Sequence, residues 1–197
     1  MALLVVAGLR FVHRRLLLDL LGRYESGVAD SAAIVARFRD FVSAYVDCFE
    51  RSCSPGHITG SAWIVSRDGR SALLTHHARL DRWLQLGGHA DGDPDPFRVA
   101  HREAREESGL TSIALPAFDM GGLPLDLDIH SIPARGDEPE HLHYDVRYLF
   151  EADATEPLVV SSESHDLRWV GIDDLRSLSD EESLLRLARR TLERCRA

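Results

Sequence analysis

Between Gly87 and Leu110 the chain reads GGHADGDPDPFRVAHREAREESGL. Asp95 followed by Pro96 predicts a helix start, because the carboxylate accepts from free backbone N–H groups and proline fits the first helical position. Gly109 predicts its stop. At ~100° per residue, Glu103, Glu106 and Glu107 share one arc of this helix. Phe97, Ala100, Ala104 and Ser108 share a second, small enough to pack closely on a sheet, and Arg98, Arg102 and Arg105 share a third. Three carboxylates on one arc repel each other and do nothing for the helix itself. Clustered oxygen donors suit hard cations such as Mg²⁺ or Mn²⁺. A charge run is ordinarily a solvated face with i,i+4 Arg–Glu pairs. The Gly87-Gly88 turn, the capped start and the closing glycine set this one apart.

The segment resembles the Nudix box, a Gly and a Glu at fixed spacing ahead of the block R-E-hydrophobic-x-E-E-x-G-hydrophobic. Gly88 matches the first Gly; Arg102, Glu103, Ala104, Glu106, Glu107, Gly109 and Leu110 match the block. The position of the first Glu is Pro94, flanked by Asp93 and Asp95. In the family that Glu supports the box, for instance through the Arg, and a neighbouring Asp is expected to stand in for it. The resemblance runs from about His57 to the C-terminus and takes in a later strand, Leu167-Arg168-Trp169-Val170. It implies an α/β fold, a Nudix-like α/β/α sandwich with a mixed sheet.

The resemblance also implies roles. The backbone carbonyl of Gly87 and the carboxylates of Glu103, Glu106 and Glu107 are expected to hold Mg²⁺, with Mn²⁺ as a possible replacement. Metal-bound water is then a usable nucleophile near neutral pH, and the cation neutralises charge on the phosphoryl oxygens. Arg102 is expected to orient a box carboxylate. Members of the family recruit one more acid from a loop after the box; Glu163, ahead of Trp169, is the choice here, as metal ligand or general base, with Glu140 and Glu151 behind it. The catalytic set is therefore Glu103, Glu106 and Glu163.

Two further stretches alternate. Leu125 to His130 carries Asp126, Asp128 and His130 on one face, and His141 to Tyr148 carries His141, His143, Asp145 and Arg147. A hairpin would pair 130 with 141, 128 with 143 and 126 with 145. A half-solvated sheet accounts for that pattern. The sharper expectation is a substrate pocket, with His143 and Asp145 nearest the metals, joined by His89 just after the glycines. His76 and His77 read as surface residues. The ten histidines offer no helical HxxxH pair, so no zinc site is assigned.

The elements around these residues follow from punctuation and period. Leu16, Leu17, Leu20 and Leu21 recur at helical spacing up to a break at Gly27. Asp30 and Ser31 are N-cap candidates for a second helix with an apolar stripe of Ile34, Val35, Phe38, Phe41, Val42 and Tyr45. This stripe predicts core packing or a dimer contact. Ser54-Pro55-Gly56 marks a boundary, giving an N-terminal helical extension over 1–53 and a catalytic domain over 54–197. Strands are predicted at 57–66, 72–75, 83–86, 125–130, 143–152 and 167–170, with a hairpin turn at Arg67-Asp68-Gly69. Residues 173–197 read as mostly helical, with Leu184, Leu187 and Leu192 as the stripe.

Composition bounds the rest. With 44% hydrophobic and 28% charged residues, 197 residues bury a sizeable core without staples. A net charge of −9 disfavours an extended nucleic-acid face. A small phosphorylated substrate still binds where cations reverse the local charge. Cys48, Cys53 and Cys195 make no disulfide framework. The N-terminal apolar run ends at Arg10, short of the ~20 residues of a membrane span, and its positive charges follow it, unlike a signal peptide. A cytoplasmic protein is expected, without a membrane partner, and with a homodimer through the N-terminal helices as an option. The expected activity is hydrolysis of a diphosphate linkage in a nucleoside diphosphate derivative. The alternative is a catalytically silent nucleotide sensor of the same fold, which intact Glu103, Glu106 and Glu107 disfavour. A related isomerase chemistry would need a cysteine opposite the box, and Cys48 and Cys53 precede the first strand.

Overall fold

The leucine spacing near the N-terminus produces one long helix, α1 (Ala2–Gly27), followed by α2 (Ala32–Ala44). A computed structural model describes residues 2–119 and 121–195, with side chains from residue 13 onward. The side chains of the apolar run ahead of Arg10, and the final two residues of the segment read as helical, lie outside the described residues. Ser31 is the N-cap of α2, but its hydroxyl donates backward to the Val28 carbonyl and does not cap the helix.

The chain then forms β1 (Gly56–Ser66), β2 (Ser71–His77), β3 (Arg82–Leu84), β4 (Leu86–His89), α3 (Pro96–Ser108), β5 (Asp126–Ile132), β6 (His141–Ala152), β7 (Ser164–Gly171), α4 (Leu175–Leu178) and α5 (Glu182–Arg194). The strands make a seven-stranded mixed sheet among the described residues, in the order β3-β2-β1-β6-β5, with β4 on β1 and β7 on β2. β1 runs parallel to β6 along its whole length and is buried throughout.

Alternation along β1 and β6 gives the sheet two different faces. Ile58, Ala62, Ile64, Tyr144, Val146, Tyr148 and Phe150 join one core with α1, α2 and α3. Trp63, Val65 and Leu149 join a second with α4 and α5. Helices on both faces make the expected sandwich. The α2 stripe packs into its own chain: Val35, Phe38, Phe41 and Val42 are buried, and the Phe38 ring meets Tyr144 edge-on. Arg14 donates to the Val42 and Ser43 carbonyls at the end of α2, where helical carbonyls lack partners. No helix of the described residues is long and apolar enough to cross a membrane.

Three local readings change. Gly87-Gly88 is not a turn but part of β4, so the single strand expected at 83–86 is two short ones. The β5–β6 hairpin forms with its acidic and basic faces together, but pairs His130 with His143, Asp128 with Asp145 and Asp126 with Arg147. The two-residue turn Gly136-Asp137, bracketed by the Arg135–Glu138 bridge, sets that register two positions from the expected one. On α5, Leu192 is exposed, and Ala188 and Thr191 share the buried stripe with Leu184 and Leu187.

Because α2 belongs to the core, truncating its central aromatic should unfold the sheet as well as the helix. Phe38→Ala is expected to cost about 3–5 kcal/mol, with one cooperative urea transition reported alike by far-UV dichroism and tryptophan fluorescence. A separate early transition confined to helix signal would count against a shared core.

Candidate active site

Helix α3 forms as its ends predict. The Asp95 carboxylate accepts from the N–H groups of Phe97 and Arg98, and Gly109 closes the helix at φ +73°. Its buried face, Val99, Ala100, Ala104 and Ser108, lies on β1 and β4. The approach is close because the strands carry no side chain where it touches. A β-carbon on Gly60 would stand 2.6 Å from the Pro96 carbonyl oxygen, and one on Gly88 would stand 2.5 Å from the carboxyl carbon of Glu103.

That contact sorts the three glutamates. Glu107 is buried, and its Oε2 accepts from the Gly87 N–H at 3.0 Å. Burial, with Glu103, Glu163 and Glu106 adding to it, pushes its carboxyl up to about 7. Glu103 is largely buried and is raised by burial first, against the opposing pull of Arg102. Glu106 is exposed and paired with Arg102 at 3.1 Å. Arg102 also lies 2.7 Å from Glu103 and donates to the His89 carbonyl at 3.3 Å. It thus ties two box carboxylates to the strand end, as expected of it.

Glu163 is exposed on the loop before β7, with its backbone carbonyl accepting from Ala78. Its charge raises both Glu103 and Glu107. The weaker candidates are occupied elsewhere: Glu140 accepts from Ser131 in the β5–β6 hairpin, and Glu151 bridges through its backbone to Ala114. Neither aspartate beside Pro94 replaces the absent glutamate. Asp93 makes a two-pronged ion pair with Arg98, and Asp95 caps the helix.

The donor set fits a hard divalent cation. Burial and the neighbouring carboxylates disfavour the charged form of both Glu103 and Glu107, and a cation among them would offset that cost. Of the expected ligands, Glu107 lies against Gly87 and Glu103 against Gly88, Glu106 is exposed beside them, and the charge of Glu163 acts on both Glu103 and Glu107.

The proposed substrate residues divide. Asp145 is 1% exposed and does not open onto a pocket. It accepts from Thr59 and Ser61 and pairs with Arg147 at 2.7 Å. Arg147 in turn meets Asp128 at 2.9 Å, and Arg186 from α5 reaches both Asp126 and Asp128. Asp145 therefore anchors a buried ion lattice that fastens α5 to the sheet. His89 and His143 do come together, and with a residue the sequence reading passed over, His57. The ring centroids of His57 lie 5.0 Å from His89 and 4.7 Å from His143. Burial, reinforced by the neighbouring histidines, lowers His57 to about 4 and His143 to about 2; burial, with Arg51 adding to it, lowers His89 to about 4. The missing signal was the pairing of β1 with β6, which sets His57 opposite His143. Cys48 and Cys53 are buried, with thiols pushed up to about 12 and about 11, and are poor nucleophiles.

A protein-family model described as NUDIX domain matches residues 57–191. No curated protein matches the chain. Among solved structures, an Ap4A hydrolase binary complex from C. elegans aligns at TM-score 0.50 and 18% identity, over 69% of this chain and 95% of that one. A bifunctional NMN adenylyltransferase/ADP ribose pyrophosphatase from Francisella tularensis, complexed with AMP and a Mn ion, aligns at TM-score 0.50 and 16% identity, over 87% of this chain and 49% of that one. At these identities the likeness is one of fold.

The raised carboxyl of Glu107 has a signed consequence. Its folded value, about 7, lies above its unfolded value of 4.5, so its contribution is fully present below pH 4.5 and lost as pH rises through 7. In EDTA, Glu107→Gln should gain stability over wild type progressively between those limits, read as a widening difference in Tm. A difference independent of pH would show that Glu107 is not buried as a neutral acid.

Proposed function

Because the chain belongs to the Nudix family, its domain model covering residues 57–191, we propose that it is a metal-dependent pyrophosphohydrolase acting on a nucleoside diphosphate derivative. The observation that carries this reading is the buried pair Glu103 and Glu107, held against the glycine strand with burial raising both. A fold gains nothing from two crowded, desolvated carboxylates unless they have a ligand to hold.

Mg²⁺, or Mn²⁺ in its place, would be held by Glu103, Glu106, Glu107 and the Gly87 carbonyl. Bound there, it supplies neutralisation of the diphosphate and a more acidic water. The chain's own groups do the rest. Arg102 positions Glu103 and Glu106 by its short contacts to both. Glu163 is the assigned base. As water oxygen attacks phosphorus in line, Glu163 takes its proton, the phosphorus–oxygen bond to the leaving phosphate breaks, and that phosphate carries the displaced electron pair. Glu163 is exposed, so it can return the proton to solvent. With a net charge of −9, the chain depends on the cation to admit a polyphosphate at all.

The test is a panel of nucleoside diphosphate and triphosphate derivatives with Mg²⁺, followed by release of phosphate or nucleotide. Wild type is expected to turn over at least one member, and Glu107→Gln to lose roughly 10²–10³-fold in kcat, the scale of one lost electrostatic stabiliser. Glu163→Gln should lower kcat and flatten the acid limb of its pH profile. Wild type and Glu107→Gln equally inert across a wide panel would sink the reading.

A further inference from the structure

The histidines gather on the sheet face opposite α3, at the end of β1 beyond the ion lattice. β1 is flanked there by β4 and β6. His57 stands opposite His143 across the β1–β6 pair, and His89 is paired with Thr59, the next residue on the same face of β1. Three adjacent strands thus project three imidazoles into one space. Ligand nitrogens of His57, His89 and His143 all lie within 4.8 Å of one another. His57 is 3% exposed, and neither of its ring nitrogens has a hydrogen-bond partner. The buried Nε2 of His143 is also without one. Unpartnered buried polar atoms are costly, and here they converge.

We propose that His57, His89 and His143 form a transition-metal site, of the three-imidazole kind that takes Zn²⁺ and leaves a fourth position for water or an anionic ligand. Nitrogen donors favour Zn²⁺ or Co²⁺ over Mg²⁺, so this site is chemically distinct from the carboxylate cluster on α3. Tetrahedral coordination sets the nitrogens roughly 3.4 Å apart, a modest inward swing from the present spacing. The surrounding rings are already fixed for a supporting part. His130, 5.4 Å from His143, donates Nδ1–H to Asp128 at 2.9 Å, and His141, 5.1 Å from His57, donates Nδ1–H to the Pro139 carbonyl. The ion would cross-link β4, β1 and β6. The lack of a helical HxxxH pair says nothing against a site built across strands.

The experiment titrates the metal-stripped full chain with Zn²⁺ by calorimetry and with Co²⁺ by visible absorption. One Zn²⁺ per chain at micromolar protein, intense visible bands for four-coordinate Co²⁺, and a Zn²⁺-dependent rise in Tm are the expected results. His143→Ala and His89→Ala should each weaken Zn²⁺ by at least about 10-fold, on the scale of lost metal-site contacts. Glu103→Gln/Glu107→Gln should bind Zn²⁺ as wild type does. If His143→Ala fails to fold by circular dichroism, His89→Ala on the short strand β4 decides the matter. No binding at tens of micromolar Zn²⁺, binding indifferent to His89→Ala, or thiolate-to-cobalt charge-transfer bands would overturn the proposal. Hydrolysis by stripped wild type in Mg²⁺ is measured separately, so loss of one reading leaves the other standing.

Discussion

Helix α3 rests on bare backbone, and the rest of the site depends on that contact. Gly60 and Gly88 leave no space for a β-carbon, and Ala100 and Ala104 keep the helix side equally thin. A larger residue at Gly60 would press on the backbone of the helix, and one at Gly88 would displace the Glu103 carboxyl itself. Either change would disturb the close approach on which the burial of Glu103 and Glu107 depends. The glycines are part of the electrostatics of the site as much as of its packing. They also shape the opposite face, because β4 is held on β1 through the same residues, Gly87 to Ser61 and Gly88 to Gly60.

The buried acids on the two faces behave differently. Asp145 accepts two hydroxyl hydrogen bonds and an arginine, and Asp128 is held well below the usual carboxylate range by His130, Arg147 and Arg186 even though burial opposes this. Such saturated charges are part of the framework, and removing one partner leaves the others exposed to the full desolvation cost. Glu107 instead has a backbone N–H and three acidic neighbours. Burial alone does not separate a structural acid from a functional one. Compensation does: Asp145 is fully partnered within the framework, whereas Glu107 is left short of partners, as the proposed cation site requires.

The same distinction explains what was legible in the sequence. The α3 cap, its stop, its three arcs and the hairpin turn after β1 are local, and each is decided within a few residues. The role of Arg102 was legible for the same reason, since its partners lie one and four positions away. The β5–β6 hairpin was half legible. Alternation fixed which faces meet, while the register depended on which two residues of a polar loop make the turn. The histidine cluster was illegible. It requires β1 to pair in parallel with a strand 86 residues further on, as His57 does with His143. No periodicity encodes such a pairing. Gly87-Gly88 misled because a glycine pair reads as a turn, whereas here glycine is needed for what packs over it.

The N-terminal helices extend this logic beyond the box. They share the core beneath α3, so the helices and the face that positions the glutamates pack as one body. The link is also polar. His13 on α1 contacts the Gly92 carbonyl at 3.1 Å, and Arg51, just after α2, grips Asp91 with both ends of its guanidinium. Both contacts fall on the loop between β4 and α3. That loop joins His89 to the start of α3, so whatever orders it orders the carboxylate cluster and the histidine cluster together. The N-terminal helices thereby bear on the geometry of both clusters.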